Sequence, residues 1–226
     1  DRLGGRDIAI GPDAYVYTSG SGLTARLTVA GKEELSIGAS GPVSIDSNNG
    51  SIYILSRYDE IRKFDSDGYQ QWAEYQDFGD AILFANNGNL YFGTQGDQLQ
   101  KIDKITGTSQ TIINNTSGRV YGIFQGETDN IVYLELENTG VKKVDLSTES
   151  VLWEAQYNYN NTGDHMCVAV DANNGFVYIG TYGDSILKVD PQNGNVISQI
   201  DIHSSRVETL AVDSDGYVYS GSRNGT

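Results

Sequence analysis

The stretch Asn174-Gly175-Phe176-Val177-Tyr178-Ile179-Gly180-Thr181 is one of six copies of a pattern in which a strand-like segment with a central tyrosine follows a turn. The six tyrosines are separated by 36, 38, 42, 45 and 41 residues; they are Tyr17, Tyr53, Tyr91, Tyr133, Tyr178 and Tyr219. An aspartate follows four of them after 12 residues, at Asp65, Asp103, Asp145 and Asp190. A constant spacing inside a variable period indicates one supersecondary unit joined by loops of different length.

Each of the first five units divides into four strand-like runs, which we call A, B, C and D in chain order. Gly, Asn and Asp separate the runs and favour tight turns, and the tyrosine lies in run B. A period near 40 with this content predicts a β-propeller, an all-β fold with four-stranded antiparallel blades. We expect one domain over 1–226, with five complete blades and the inner half of a sixth. The predicted blade spans are 6–40, 41–76, 77–115, 116–158, 159–202 and 203–226.

The first and last units depart from the pattern. Thr28 stands where the first unit should have its aspartate, and the sixth unit stops after run B. A closed propeller leaves no open sheet edge. We therefore expect the chain to belong to a larger ring, with an open ring or closure by a partner chain as the alternatives.

The charge of the chain limits its partners. The formal net charge is −15 and the pI is about 4.3, which argues against nucleic acid and against direct insertion into or adsorption on an anionic membrane. Such acidity suits a solubilising surface, including one exposed to high salt, as in a halophilic protein. The single cysteine, Cys167, permits no disulfide within the chain.

The segment Asp145-Leu-Ser-Thr-Glu-Ser-Val-Leu-Trp153 resembles the repeat of PQQ-like (quinoprotein-type) propellers, in which a blade ends in Asp-x-x-Thr-Gly-x-x-x-Trp. Asp103-Lys-Ile-Thr-Gly107 is similar to the first half of that pattern, and the segments from Asp65 to Trp72 and from Asp190 to Gly194 match more loosely. YVTN- and NHL-like propellers are close relatives by pattern. The resemblance implies that Trp72 and Trp153 pack between blades.

The resemblance also raises an enzymatic alternative. A quinoprotein dehydrogenase would need PQQ, a calcium ion and a catalytic aspartate, usually within eight Trp-bearing blades, whereas this chain has two tryptophans. We therefore expect no cofactor, no metal and no catalytic residue. The blade aspartates are interpreted as turn residues that accept backbone N–H bonds. His165 and Cys167 share a strand face by spacing but lack the further ligands of a zinc site.

The loop around residue 157 is the predicted contact site, because Tyr and Asn give adaptable binding surfaces; its members are Tyr157, Tyr159, Asn160 and Asn161. A second loop, 69–75, has a similar composition. Five Asn-x-Ser/Thr sequons permit glycosylation if the protein is exported; they start at Asn49, Asn114, Asn115, Asn160 and Asn224.

The sequence thus predicts a non-catalytic binding or scaffold propeller that contacts proteins or surface glycans. We expect it to be exported or displayed on a cell or virus particle, for example as an adhesion module of a tail or spike. An envelope assembly scaffold resembling the BamB lipoprotein is the first alternative, and a fragment of a PQQ- and calcium-dependent dehydrogenase is the second.

Overall fold

The structure is a computed structural model that describes residues 7–12, 14–20, 22–56, 60–137, 140–157, 167–181, 185–202 and 204–223. The chain divides into two compact units, residues 1–114 and 115–226. Each unit is a series of antiparallel sheets in which strands follow one another in chain order. No described segment is a helix with the length and apolarity needed to cross a bilayer.

The first unit contains three four-stranded sheets, which we call blades 1 to 3. Blade 1 consists of β1 (Asp7–Ile10), β2 (Val16–Gly20), β3 (Leu23–Leu27) and β4 (Glu33–Ile37). Blade 2 consists of β5 (Val43–Ile45), β6 (Ile52–Leu55), β7 (Glu60–Phe64) and β8 (Gln70–Tyr75). Blade 3 consists of β9 (Gly79–Phe84), β10 (Leu90–Thr94), β11 (Gln98–Ile102) and β12 (Ser109–Asn114).

The second unit contains two four-stranded sheets, blades 4 and 5, and a two-stranded sheet, blade 6. Blade 4 consists of β13 (Val120–Gln125), β14 (Ile131–Leu136), β15 (Gly140–Asp145) and β16 (Ser150–Gln156). Blade 5 consists of β17 (Cys167–Val170), β18 (Val177–Gly180), β19 (Ser185–Val189) and β20 (Val196–Asp201). Blade 6 consists of β21 (Val207–Val212) and β22 (Val218–Ser222).

Burial falls from the second to the fourth strand of a blade. The second strands β6, β10 and β18 are buried along their whole length, whereas the fourth strands β8 and β20 are largely exposed. In unit 1, one apolar cluster joins Tyr53 and Ile61 of blade 2 to Phe84, Leu90 and Phe92 of blade 3. In blade 2 the second strand is apolar on both faces: Ile52 and Ile54 pack on the side of blade 1, and Tyr53 packs on the side of blade 3, as expected for stacked blades.

The predicted fold is confirmed: the described residues form five four-stranded antiparallel sheets and one two-stranded sheet, as in a β-propeller with a partial sixth blade. The strands of each blade lie inside the corresponding predicted span. The predicted turns are also present; for example, Gly50 and Gly175 have φ of 73° and 75° and donate their N–H groups to the carbonyls of Asp46 and Asp171. Glycine adopts this left-handed conformation without steric cost.

Candidate functional site

The tyrosine of each four-stranded blade lies directly opposite a cation on the third strand. The five cross-strand pairs are Tyr17–Arg26, Tyr53–Lys63, Tyr91–Lys101, Tyr133–Lys143 and Tyr178–Lys188. In the Tyr53, Tyr133 and Tyr178 pairs the ammonium lies 5.7, 5.5 and 5.7 Å from the ring centroid. These distances are within the range of a cation–π contact.

Three of these cations reach across to the next blade in the same unit. Each donates to the backbone carbonyl of the residue that follows the aspartate of the repeat; we call this carbonyl the turn carbonyl. The three bonds are Arg26 Nη1 to Ser66 O at 2.6 Å, Lys63 Nζ to Lys104 O at 2.9 Å and Lys143 Nζ to Pro191 O at 3.0 Å. A charged donor makes these stronger than ordinary neutral bonds between strands.

The two tryptophans of the fourth strands donate to the same turn carbonyls. Trp72 Nε1 lies 3.1 Å from Lys104 O, and Trp153 Nε1 lies 2.9 Å from Pro191 O. Each tryptophan ring also contacts the tyrosine ring of its own blade. The ring centroids are 6.1 Å apart for Trp72 and Tyr53, and 5.8 Å apart for Trp153 and Tyr133. The structure therefore places both tryptophans between neighbouring blades.

A glycine in the same turn lies against the tryptophan ring. Gly107 and Gly194 have φ of 81° and 75°. A Cβ at Gly194 would lie 2.8 Å from Cε3 of Trp153, and one at Gly107 would lie 3.0 Å from Cε3 of Trp72. A side chain would be strained at both positions by backbone conformation and by contact with the ring.

A third hydrogen bond completes this arrangement. Gln76 Nε2 donates to Gly107 O at 2.9 Å, and the Tyr157 hydroxyl donates to Gly194 O at 2.8 Å. Both residues come four positions after the tryptophan of their blade. We use the name blade clamp for a set of four parts: the cation, the tryptophan, the residue four positions after the tryptophan (Gln76 or Tyr157), and the turn of the next blade. It joins blade 2 to blade 3 and blade 4 to blade 5.

Tyr157 is 5 % exposed, which differs from the exposed contact role expected from the sequence. Burial raises the pKa of its phenol above the usual range, so the hydroxyl stays a donor. The other three predicted contact residues, Tyr159, Asn160 and Asn161, lie outside the described residues. The structure therefore assigns Tyr157 to the blade clamp.

The clamp between blades 4 and 5 includes a carboxylate. Glu127 Oε1 lies 2.5 Å from Lys143 Nζ, and the Tyr133 hydroxyl donates to Glu127 Oε2 at 3.0 Å and to Gly175 O at 3.2 Å. Burial is the largest single influence on the pKa of Glu127 and acts to raise it, but the hydrogen bonds from Lys143, from the backbone and from Tyr133 outweigh it together with the Lys143 charge, so the pKa is lowered. Burial and the Glu127 charge raise the pKa of Tyr133.

The blade aspartates accept hydrogen bonds inside their own turns. Asp103 Oδ1 accepts from the N–H groups of Ile105 and Thr106, and Asp145 Oδ1 accepts from the Ser147 hydroxyl and N–H. These bonds lower the pKa of both carboxyl groups. Similar turn bonds involve Asp65, Asp190 and Asp213. Thr28 replaces the aspartate of blade 1, and its hydroxyl accepts from Lys32 N at 3.1 Å.

No three His, Cys, Asp or Glu side chains converge to hold a metal ion in the described part of the chain. The blade aspartates lie in separate turns, and each already accepts the bonds given above. The dehydrogenase alternative remains a prediction with its own test.

The remaining candidates from the sequence have ordinary environments or lie outside the described residues. Cys167 donates to Val207 O at 3.4 Å, and burial, reinforced by Glu135, raises the pKa of its thiol to about 12. Of the sequons, Asn49, Asn114 and Asn115 are exposed. Asn160, Asn224 and His165 lie outside the described residues.

The connection between blades 2 and 3 exposes two aromatic side chains that the sequence patterns did not single out together. Tyr75 is 76 % exposed and Phe78 is 65 % exposed. We call residues 75–78 the aromatic connection. Hydrogen bonds hold this segment in place. Gln76 belongs to the blade clamp, Phe78 O accepts from Gln95 N at 2.6 Å, and Asp77 Oδ2 accepts from Gln100 Nε2 at 3.4 Å.

This arrangement has the character of a protein-contact site. Aromatic residues on a preorganised backbone lose little conformational entropy on binding and are enriched among residues that dominate interfaces. Gly79, which follows the connection, lets the backbone pass close to the Phe92 ring, because a Cβ there would lie 2.3 Å from that ring. The signal available in the sequence was the Tyr-Gln-Asp-Phe run that follows Trp72 by three residues.

Comparison with known proteins agrees with this architecture. A family model described as outer membrane protein assembly factor BamB matches residues 77–226. A chain in the crystal structure of the mitotic checkpoint complex is similar in fold, with a TM-score of 0.76 and 14% sequence identity over 96% of this chain and 71% of that one. No curated protein matches the sequence. Because the family model covers most of the chain, the protein belongs to the PQQ-like propeller family of outer membrane protein assembly factor BamB.

Proposed function

We propose that this protein is a non-catalytic scaffold that binds other proteins through the aromatic connection. The exposure of Tyr75 and Phe78 on an anchored backbone carries the proposal. The blade tryptophans are occupied by contacts between blades, so they are unavailable for such binding. Aromatic side chains that remain exposed on a rigid segment are suited to anchor a partner.

We also propose that the protein works outside the cytoplasm, as an assembly scaffold of the cell envelope or as a module on the surface of a cell or virus particle. The family description favours the assembly scaffold. The net charge of −15 suits a surface exposed to salt and is compatible with either role. Protein partners suit the aromatic connection; surface glycans are the alternative ligands.

Partner capture from the source cells tests the binding site. The Tyr75→Ala/Phe78→Ala double variant should lose the partners that the wild-type protein retains after chemical cross-linking. Tyr69→Ala is the matched control, because Tyr69 is a comparably exposed aromatic residue in the turn before β8. If the double variant and the wild type capture the same partners in equal amounts, the aromatic connection is not the binding site. Fractionation of the cells decides between a surface and a cytosolic location.

The dehydrogenase alternative has its own test. Titration of the protein with PQQ and calcium should produce no change in the PQQ absorption spectrum if the protein is a scaffold. A saturable spectral change with both components would favour the enzyme alternative.

A further inference from the structure

The aromatic connection lies in a stretch of the chain that contains no cationic residue. Residues 64–100 have six acidic side chains and no Lys, Arg or His; the six are Asp65, Asp67, Glu74, Asp77, Asp80 and Asp97. Lys63, just before this stretch, donates to Lys104 O, and Lys104 donates to Gly88 O, so backbone carbonyls occupy both ammonium groups. The uncompensated negative charge of this stretch favours a cationic partner.

Asp77 lies between the two exposed aromatic residues of the connection. Its side chain is exposed, and its Cα is within about 8 Å of the Cα atoms of Tyr75 and Phe78, because consecutive Cα atoms are about 3.8 Å apart. Within the described residues its carboxylate has one hydrogen bond, the 3.4 Å bond from Gln100 Nε2 to Oδ2, and no ion pair. The charge of Asp77 is therefore available to a partner that contacts the two rings.

A buried amide of β11 ends at the same carboxylate. Gln100 is 5 % exposed, and its Nε2 donates to Asp77 Oδ2 and, at 3.0 Å, to Gln98 Oε1. Its Oε1 is buried and accepts no hydrogen bond from the described residues. The opposite orientation of the amide would place its oxygen against two other oxygens and is unfavourable. A buried acceptor without a donor is costly, so a donor that arrives beside Asp77 gains from satisfying it.

We propose, on the basis of the scaffold function above, that the aromatic connection binds an arginine side chain of the protein partner. The guanidinium stacks on an exposed ring of the connection and donates to the Asp77 carboxylate. Because Asp77 is exposed and held by one long bond, its side chain can turn and let the guanidinium also donate to Gln100 Oε1.

Arginine suits this surface better than other side chains do. Its guanidinium is planar, carries five N–H donors and stacks on aromatic rings, which matches two acceptors beside two exposed rings. The ammonium of lysine is a compact point charge that is more strongly hydrated and cannot form the same planar fork. A neutral apolar side chain would leave the Asp77 charge and the Gln100 oxygen without a donor.

A short arginine peptide tests the ligand directly. Acetyl-Leu-Arg-Leu-amide is added to the 226-residue protein, which is isotopically labelled for NMR. The signals of the backbone amides of residues 75–78 and of the Gln100 side-chain amide should shift, with a dissociation constant of about 1 mM or lower. The same peptide with citrulline, which keeps the shape without the charge, or with lysine should bind at least about fivefold more weakly.

Two variants separate the local contact from the overall charge. Asp77→Asn removes the carboxylate but keeps an acceptor for Gln100 Nε2, and it should lower the affinity for the arginine peptide at least about fivefold. Asp67→Asn is the matched control because it changes the net charge by the same amount. Asp67 lies in the turn before β8, and the length of that strand, about 17 Å, separates the turn from Tyr75. This control should bind the arginine peptide as the wild type does.

Partner capture by the same variants distinguishes this inference from the scaffold function. If Tyr75→Ala/Phe78→Ala loses the partners and Asp77→Asn keeps them, the connection binds a protein through its apolar surface and the arginine assignment is wrong. If both variants keep the partners, the connection is not the partner site, and both proposals fail. Absence of NMR shifts with the arginine peptide at about 10 mM, or equal affinity for the arginine and citrulline peptides, would also overturn the arginine assignment.

Discussion

Two buried tyrosines occupy the same place in their repeats but differ in what their hydroxyl groups contact. The Tyr133 hydroxyl donates to Glu127 and to Gly175 O, whereas the buried Tyr53 hydroxyl has no hydrogen-bond partner among the described residues. Burial raises the pKa of both phenols, so both stay neutral over the usual pH range. The two residues therefore provide a matched comparison.

We predict that Tyr133→Phe lowers the free energy of unfolding by about 1–2 kcal/mol, because it removes the donor shared by the buried Gly175 O and the partly buried Glu127 carboxylate. Tyr53→Phe should change it by less than about 0.5 kcal/mol or increase it, because the hydroxyl it removes forms no bond. Urea denaturation of the two variants measures both changes. A larger loss for Tyr53→Phe than for Tyr133→Phe would contradict the hydrogen-bond assignment.

The aspartate turns predict a dependence of stability on acid. Hydrogen bonds within the turn lower the folded-state pKa of Asp103 and Asp145 below the ordinary value of 3.8. A lowered folded pKa means that the unfolded chain binds the proton more tightly. The stabilisation is therefore complete above that ordinary value and is lost as the pH falls through the folded pKa.

We predict that unfolding free energy falls more steeply below about pH 4 in the wild type than in Asp145→Asn, which cannot titrate at that position. Asp103→Asn should behave in the same way. Denaturation curves at a series of pH values between about 2.5 and 6 provide the measurement. Parallel curves for wild type and both variants would show that these carboxyl groups do not contribute.

At the scale of the element, the blade clamp depends on a turn glycine. Gly194 and Gly31 have nearly the same φ, 75° and 76°, but a Cβ at Gly194 would meet the Trp153 ring, whereas one at Gly31 would have no neighbour within 4 Å. The backbone cost of replacing them should therefore be similar. The difference between the stability losses of the two variants therefore measures the cost of the contact with Trp153.

Gly31→Ala should cost about 1 kcal/mol, the cost of a side chain in the left-handed region. Gly194→Ala should cost about 2–4 kcal/mol, because overpacking against Trp153 adds to the same backbone cost. Thermal unfolding followed by circular dichroism compares the variants. Equal losses would mean that the Trp153 ring moves aside freely.

The sequence predicted the strands well because their signals are local. The 12-residue interval from tyrosine to aspartate spans a second strand, a hairpin and a third strand, and this geometry places Tyr53 opposite Lys63 and Tyr133 opposite Lys143. The turn role of the aspartates follows from their own side-chain chemistry. These elements needed no knowledge of the neighbouring blade.

The clamp and the aromatic connection could not be predicted in the same way. Gln76 and Tyr157 perform the same task with different chemistry, and their acceptors are 31 and 37 residues further along the chain. The Tyr/Asn composition around Tyr157 therefore suggested an exposed loop, whereas packing buries that side chain. Exposure of Tyr75 and Phe78 likewise depends on which neighbours cover them and not on their own sequence.

At the scale of the whole molecule, the excess of acidic residues predicts a response to salt. Self-repulsion at a net charge of −15 opposes the compact state, and salt screens it. The ion pair of Lys143 with Glu127 is largely buried and should be screened less than exposed charges.

We predict that the unfolding temperature holds or rises when NaCl is increased from about 0.05 M to about 1 M, where the screening length falls to about 3 Å. Scanning calorimetry across this series is the measurement. A substantial fall in the unfolding temperature would show that attractive surface pairs outweigh repulsion, and it would remove the argument for a salt-exposed surface.

The most direct test of the structural assignment of the repeat residues is urea denaturation of Tyr157→Phe. If Tyr157 belongs to the blade clamp, removal of its bond to Gly194 O lowers the unfolding free energy by about 0.5–1.5 kcal/mol. If its hydroxyl lies at an exposed contact site instead, the variant unfolds at the same urea concentration as the wild type, and that result would contradict the clamp.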